Sequence, residues 1–382
     1  TITKDMDRWR MKRLTYKKNK MFKEDKKMTK KVLSVALCAA MVGSLAVGVS
    51  AADYSGTKIE IVSKGFQHQY WQAVLKGAEE KAAELGVEIN FVGPNSESDY
   101  ADQVQMLESA INSEPGAIAL AALSTDTCLD AIQKAMDAGI PIIGFDSGVP
   151  GAPEGAIFAN ASTNNYNAGA LAAEETYKVL KDRIAAAEGS VRIGILAQDS
   201  VSESVVQRGL GFIDKIGELI IADGGSVKLE GNDKYVNDAT VETSDDATVV
   251  IETLVPSQVT SELSAIDCQT LLNKEDIICI YGSNQHSAEA MVTGNENLMK
   301  LGTGEGQVIG VGFDSGAVIK AAVADGTFLG AITQAPVAMG ATVVELACKA
   351  AAGEEVADVD TGCQWYTVDN MEDPEIAQNL YD

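Results

Sequence analysis

The chain has 382 residues, 46% of them hydrophobic, which is enough length for two ordinary domains and enough apolar content to exclude a wholly disordered protein. Its net charge of −25 is uneven: residues 1–31 hold 13 Lys and Arg against 4 Asp and Glu, leaving 17 basic against 51 acidic groups on the rest. So acidic a body repels phosphate backbones and anionic lipid, which argues against nucleic acid as a partner and against membrane contact except through the N-terminal segment.

In chain order, residues 1–27 are expected to be an upstream extension, with Met28 the real start. From there "MTKKVLSVALCAAMVGSLAVGVSAADYSG" has the form of a secretory signal over 28–52: Lys30 and Lys31, an uncharged apolar run, then the small residues Ser50, Ala51 and Ala52. Two other readings compete with cleaved export. The charge-free run Val32–Ala52 is near the roughly 20 apolar residues that span a bilayer, and Cys38 offers a lipid attachment point, although Leu37 stands where lipoprotein signals carry a small residue. Cleavage near Ala51 or Ala52 is the expectation, placing the protein outside the cytoplasm, in a periplasm or on the outer cell surface.

Past the signal, strand-like runs ("KIEIVSKG", "GVEINFVG", "GAIALAAL", "IPIIGFDSG", "GAIFANA", "VRIGILAQ", "DIICIYGSN", "VIGVGFDSG", "FLGAITQAP") alternate with amphipathic helical stretches such as "YWQAVLKGAEEKAAELG" and "DTCLDAIQKAMDAG". Strands apolar on both faces, alternating with helices, predict α/β architecture with parallel sheets covered on both sides. There are too many strand–helix units for one sheet, so two doubly wound sheets are expected. Residues 237–262, polar and acidic, read as loop plus strand or hairpin. Without Cys38, five cysteines remain at wide spacings, with no CxxC or Cys/His cluster, and read as small buried apolar side chains. No metal or cofactor motif is present.

Two features point to a site. "FQHQYW" (66–71) packs three aromatics and one of the two histidines behind the first strand of a chain only 5% aromatic. "GFDSG" occurs twice, at 144–148 and 312–316, each time placing an aspartate, Asp146 or Asp314, just past the carboxyl end of an apolar strand. That edge is where open α/β sheets bind ligands. Asp-Ser-Gly is also ordinary turn chemistry, but its repetition in the same context favours function.

From about Lys58 to the C-terminus the chain resembles the type I periplasmic binding proteins of ABC transporters, specifically the ribose-binding-protein-like sugar family. The first strand with its polar and aromatic end, "IPIIGFDSG", "QRGLGF", "IYGSNQHSAEAM", "VIGVGFDSG" and "AITQAP" occur in the family's order and spacing. The resemblance implies two Rossmann-like lobes joined by three hinge strands with a ligand cleft between them, 57–163 plus 335–360 forming one and 164–334 plus 361–382 the other. It implies that Tyr70 and Trp71 stack on a sugar ring, that His68 contacts a hydroxyl, that Asp146 and Asp314 accept hydroxyl hydrogen bonds, and that Asn284 and Gln334 supply the amides. Gln67, Ser147, Arg208 and His286 are further candidates. Ser147 and Val206 stand where ribose binders carry arginines, which puts ribose itself in doubt; Arg208 is open to a ligand or a structural role, and His286 to lining the cleft or capping a helix. Trp365 reads as packing.

The chemistry is that of a sugar site. Aromatic faces bury C–H surface, while Asp, Asn, Gln and His satisfy hydroxyls, ionised acceptors giving roughly 1.5–3 kcal/mol each. An enzyme is the first rival: paired carboxylates can hydrolyse glycosides, but no GxSxG, GxxxxGK[ST], HExxH or helix-opening GxGxxG occurs. A repressor of the lactose-repressor class would need a helix-turn-helix where the export run stands. The expectation is a non-catalytic, monomeric receptor that closes on a monosaccharide-like ligand and presents it to an ABC transporter permease. The alternatives keep the fold and change the ligand to a nucleoside, amino acid or furanose signalling molecule, or make the partner a chemotaxis or sensor-kinase receptor.

Overall fold

The computed structural model describes residues 53–66 and 68–381. The expected extension and signal, Cys38 and the candidate Gln67 lie outside the described residues. The first elements are β1 (Lys58–Val62), α1 (Gln69–Leu85), β2 (Glu88–Val92), α2 (Tyr100–Asn112), β3 (Ala117–Leu120), α3 (Leu129–Asp137), β4 (Ile142–Phe145) and β5 (Ile157–Ser162). Then come α4 (Asn165–Ala185), β6 (Val191–Leu196), α5 (Glu203–Ala222), β7 (Val227–Gly231), α6 (Asp233–Asp238) and β8 (Val249–Leu254). They are followed by α7 (Ser261–Leu272), β9 (Ile277–Gly282), α8 (Gln285–Asn295), β10 (Ile309–Phe313), α9 (Ala317–Ala324) and β11 (Phe328–Gln334). The chain ends with α10 (Pro336–Ala351), β12 (Val359–Asp360), β13 (Cys363–Tyr366) and α11 (Pro374–Ala377).

The strands form two separate sheets, ordered β12-β5-β4-β3-β1-β2 and β13-β11-β10-β9-β6-β8-β7. Every pairing is parallel except β13 against β11. The central strands β3 and β4 are buried along their whole length, as two-sided helix cover requires. The stretch 237–262 holds the end of α6, a loop, the single strand β8 and the start of α7; β8 pairs with β6 and β7 in parallel and so makes no hairpin. Polar β7 and the short β12 and β13 carry too little apolar pattern to be seen in the sequence. Cys128, Cys268, Cys279 and Cys348 are free thiols buried in the fold, and Cys363 is half-buried.

The chain passes between the sheets three times: from β5 into α4, from β11 into α10, and from β12 into β13. Hydrogen bonds tie these crossings together. Thr361 N donates to Ser162 O at 3.0 Å and Thr163 Oγ1 to Gln334 Oε1 at 2.9 Å.

Each lobe also has a helix pair clasped through glycine. In the first, α1 and α10 approach so closely that a Cβ on Gly340 would lie 2.0 Å from Val74 O. In the second, α4 and α5 meet where a Cβ on Gly169 would lie 2.0 Å from Arg208 O. Only glycine fits either crossing, and the second seats the backbone of Arg208.

Candidate functional site

Both GFDSG copies end their strands alike. Asp146 (φ +56°) and Asp314 (φ +70°) are left-handed, although neither is glycine. Asp is among the few residues that tolerate this conformation, at a cost of order 1–3 kcal/mol, and such strain gathers at functional sites. Asp146 N donates to Ala161 O at 3.2 Å and Asp314 N to Ile332 O at 2.6 Å, so each turn is tied to the next strand and aims its carboxylate past the sheet edge.

The two carboxylates converge on one cavity of about 30 Å³, room for about one or two waters. Arg208, only 3% exposed, enters it from α5 and lies between them, Nη2 3.9 Å from Asp146 Oδ1 and Nη1 3.8 Å from Asp314 Oδ2. These separations suit Coulomb attraction but exceed hydrogen-bonding range. The guanidinium is held by Nε donating to Asn165 Oδ1 at 2.8 Å and by the Phe313 ring 4.1 Å from its centre. Nη2 is buried with no hydrogen-bond partner. Burial lowers the Arg208 pKa, but the two aspartates outweigh it and the group stays above its ordinary value. For Asp314 burial dominates and raises the pKa, against Arg208 and against Gln334 Nε2, which donates to Oδ1 at 2.6 Å.

His68, Tyr70, Trp71, Asn284, His286 and Gln334 line the same cavity. Tyr70 donates to Asp146 Oδ1 at 2.9 Å and meets Trp71 edge-on at 5.0 Å between ring centroids. Both rings also belong to the core of the first lobe, so they are wall and foundation together. Phe66 packs against Phe91 instead. Asn284 caps α8 by accepting from Ser287 N, so His286 is not the cap; its Nε2 pairs with Ser264 Oγ at 2.8 Å and its ring lies 6.2 Å from that of His68. Ser147 stands outside the cavity wall and accepts from Ser204 N at 3.2 Å. Trp365 packs against the core of the second lobe.

Five cavity residues, Lys64, Glu97, Ser204, Val205 and Gln285, are absent from the sequence-based set, and Lys64 and Glu97 are the charged ones. Lys64, 4% exposed, pairs with Asp146 Oδ2 at 3.1 Å and donates to Ser202 Oγ at 2.8 Å and Ser204 Oγ at 3.0 Å at the start of α5, so it joins the two lobes. Glu97 accepts from the Trp71 indole at 2.7 Å. Burial pushes the Glu97 pKa up, but charge on His68 and Lys64 and two hydrogen bonds bring it below its usual value. The signal that would have found both is position: Lys64 follows β1 and Glu97 follows β2, at the carboxyl edge that carries Asp146. Among the described residues, no group of three or more His, Cys, Asp or Glu is arranged for a metal ion.

The profile of the periplasmic binding protein domain matches residues 59–355. The chain belongs to the periplasmic binding protein family. It is 24% identical over 330 residues to the D-allose-binding periplasmic protein of Escherichia coli (strain K12), covering 85% of this chain and 94% of that one. Among solved structures, a Brachyspira murdochii protein described as an ABC transporter, LacI family transcriptional regulator, is 34% identical with a TM-score of 0.71, covering 86% of this chain and 99% of that one. An ABC transporter solute binding protein from Agrobacterium vitis with bound D-fucose is 26% identical with a TM-score of 0.71, covering 85% and 100%. The periplasmic binding protein fold accounts for the two parallel-sheet lobes, and the family consists of extracytoplasmic binding proteins rather than enzymes. Among the described residues, no helix is long and apolar enough to cross a membrane.

Proposed function

We propose that the chain is the solute-binding protein of an ABC transporter, capturing a neutral monosaccharide between its lobes and presenting the closed form to a membrane permease. One observation carries this reading: two left-handed aspartates from different sheets, with Arg208 between them at 3.8–3.9 Å and its buried Nη2 without a hydrogen-bond partner, converge on one cavity beside aromatic walls. Ring hydroxyls donate to Asp146 and Asp314 and accept from Arg208; His68, Asn284 and Gln334 complete the shell, with Tyr70 and Trp71 as walls. The relatives that bind D-allose and D-fucose support the ligand class.

The lobes correspond to 57–163 with 335–360 and 164–334 with 361–382. A monosaccharide is many times larger than the one or two waters the cavity holds, so entry requires the lobes to part. Opening breaks the Lys64 bonds to Ser202 and Ser204, and closing on a guest that contacts both lobes restores inter-lobe contact, so ligand binding shifts the equilibrium toward the closed form. Three carboxylates (Glu97, Asp146, Asp314) face two permanent cations (Lys64, Arg208), an arrangement that disfavours sugar acids and sugar phosphates. Export follows from the signal over 28–52.

A thermal-shift screen of the full chain against pentoses, hexoses, uronates, nucleosides and amino acids tests this. A ligand at 100 times its Kd adds about 2.7 kcal/mol of stability. Stabilisation by a neutral sugar and none by its uronate is expected. Stabilisation only by a nucleoside or amino acid overturns the sugar assignment.

A further inference from the structure

The hydrogen bonds around Glu97 form a directed chain between the lobes. At one end, in the second lobe, Ser287 N, in the first turn of α8, donates to Asn284 Oδ1 at 3.0 Å. Asn284 Nδ2 therefore points onward and donates to Gln198 Oε1 at 2.8 Å. Gln198 Nε2 in turn donates to Glu97 Oε2 at 3.0 Å, crossing from the second residue after strand β6 to the loop after β2, and also to its neighbour Asp199 Oδ2 at 3.3 Å. At the other end, the Trp71 indole donates to Glu97 Oε1 at 2.7 Å.

Both ends of this chain, a backbone N–H and an indole N–H, can only donate. The amides between them each accept on one side and donate on the other, so their orientation is set by the helix cap. Two donor streams therefore meet at position 97. Only a group with two acceptors and no donor satisfies both, and that group is an ionised carboxylate. Glutamine there leaves one N–H facing another, and turning the amides over to relieve it uncaps α8.

We propose that Glu97 is a positioning residue that couples lobe apposition to the orientation of Trp71, by serving as an acceptor on which hydrogen bonds from both lobes converge. Its effect on affinity rests on the solute-capture reading; the relay itself does not.

The charge-swapped pair, Glu97→Gln combined with Gln198→Glu, tests it. In that double variant the amide oxygen introduced at position 97 accepts from Trp71, and the amide nitrogen donates to the carboxylate introduced at position 198. That carboxylate also accepts from Asn284, so every bond of the relay is restored, and only the Gln198 Nε2 bond to Asp199 Oδ2 at 3.3 Å is given up. Wild type, both single variants and the double variant, each in the full chain, are titrated calorimetrically with D-allose, D-fucose and D-arabinose. The part of the fluorescence that Trp71→Phe abolishes is recorded with and without sugar. Each single variant should bind about tenfold or more weakly and shift the Trp71 emission, and the double variant should recover both to within about threefold of wild type, the non-additivity that marks a direct interaction. A structural role for Glu97 alone would lower the Tm without rescue by the swap. Wild-type affinity and emission in Glu97→Gln, or a double variant no better than the singles, overturns the proposal. Should no sugar bind wild type while the swap still restores the emission, the capture reading falls and the relay stands; sugar binding without rescue has the opposite meaning.

Discussion

Asp146 and Asp314 occupy the same pentapeptide, end equivalent strands and adopt the same left-handed backbone, yet they keep different company. Asp146 faces a buried ammonium, Lys64 at 3.1 Å, and a tyrosine hydroxyl, with the opposite lobe's Arg208 in reach. Asp314 is held by neutral donors, Gln334 Nε2 at 2.6 Å and Gln285 N at 3.0 Å, and meets Arg208 from within its own lobe. Identical local residues make the two turns alike. What the rest of the chain folds around them makes one carboxylate half of a buried ion pair and leaves the other a buried charge raised in pKa mainly by desolvation. The first is therefore expected to contribute more to stability than the second.

The sharpest way to break this comparison is to neutralise each in turn. Asp146→Asn strands Lys64 as a buried cation, and removing one partner of such a pair costs about 3–5 kcal/mol. Asp314→Asn removes a charge that burial already disfavours and should cost less than half as much, while weakening ligand binding at least as strongly. Calorimetric unfolding and ligand titration of both variants decide it; equal losses of stability would show that the different surroundings do not matter.

A second test uses pH, on the lobe that carries Asp314. His286 lies in α8, the helix whose first N–H holds Asp314, and burial, aided by the charge on His68, lowers its pKa from 6.5 to about 4. Because the folded pKa is the lower one, the unfolded chain takes up the proton first as pH falls. Stability from this group is complete above about 6.5 and is lost progressively down to about 4, by about 3 kcal/mol at most. Denaturant midpoints measured across that window should fall with pH in wild type and fall less in His286→Gln.

The smallest effect comes from the helix clasps. Gly340→Ala and Gly169→Ala each drive a methyl into backbone 2.0 Å away and should cost about 1–3 kcal/mol of stability by overpacking. Only Gly169→Ala presses on Arg208, which lies between both aspartates, so only it should also weaken ligand affinity, read by calorimetry on protein that remains folded.

Much of this was legible in the sequence. The alternating runs pointed to the two parallel sheets, and the repeated pentapeptide located the carboxylates, because strand patterning and turn chemistry are local. Lys64 and Glu97 were missed because in sequence they are an ordinary lysine and glutamate in loops. Their meaning comes from partners far along the chain, Ser202 and Ser204 for Lys64 and Gln198 for Glu97, brought close only by the packing of one lobe on the other. Arg208 stayed ambiguous for a related reason: its place between the aspartates depends on a helix crossing at Gly169. His286 was left between lining and capping because its position at a helix start does not say which residue caps that helix; Asn284 does.

The triple passage between sheets also governs the order in which the molecule can be made. The first sheet lacks its covering helix α10 and its edge strand β12 until the ribosome has delivered residues up to Asp360, after nearly all of the second sheet. Nascent domains often fold from the N-terminus as they emerge, but here the earliest strands must wait for almost the last segment before their core can close. The first lobe can therefore be completed only when nearly the whole chain has been made.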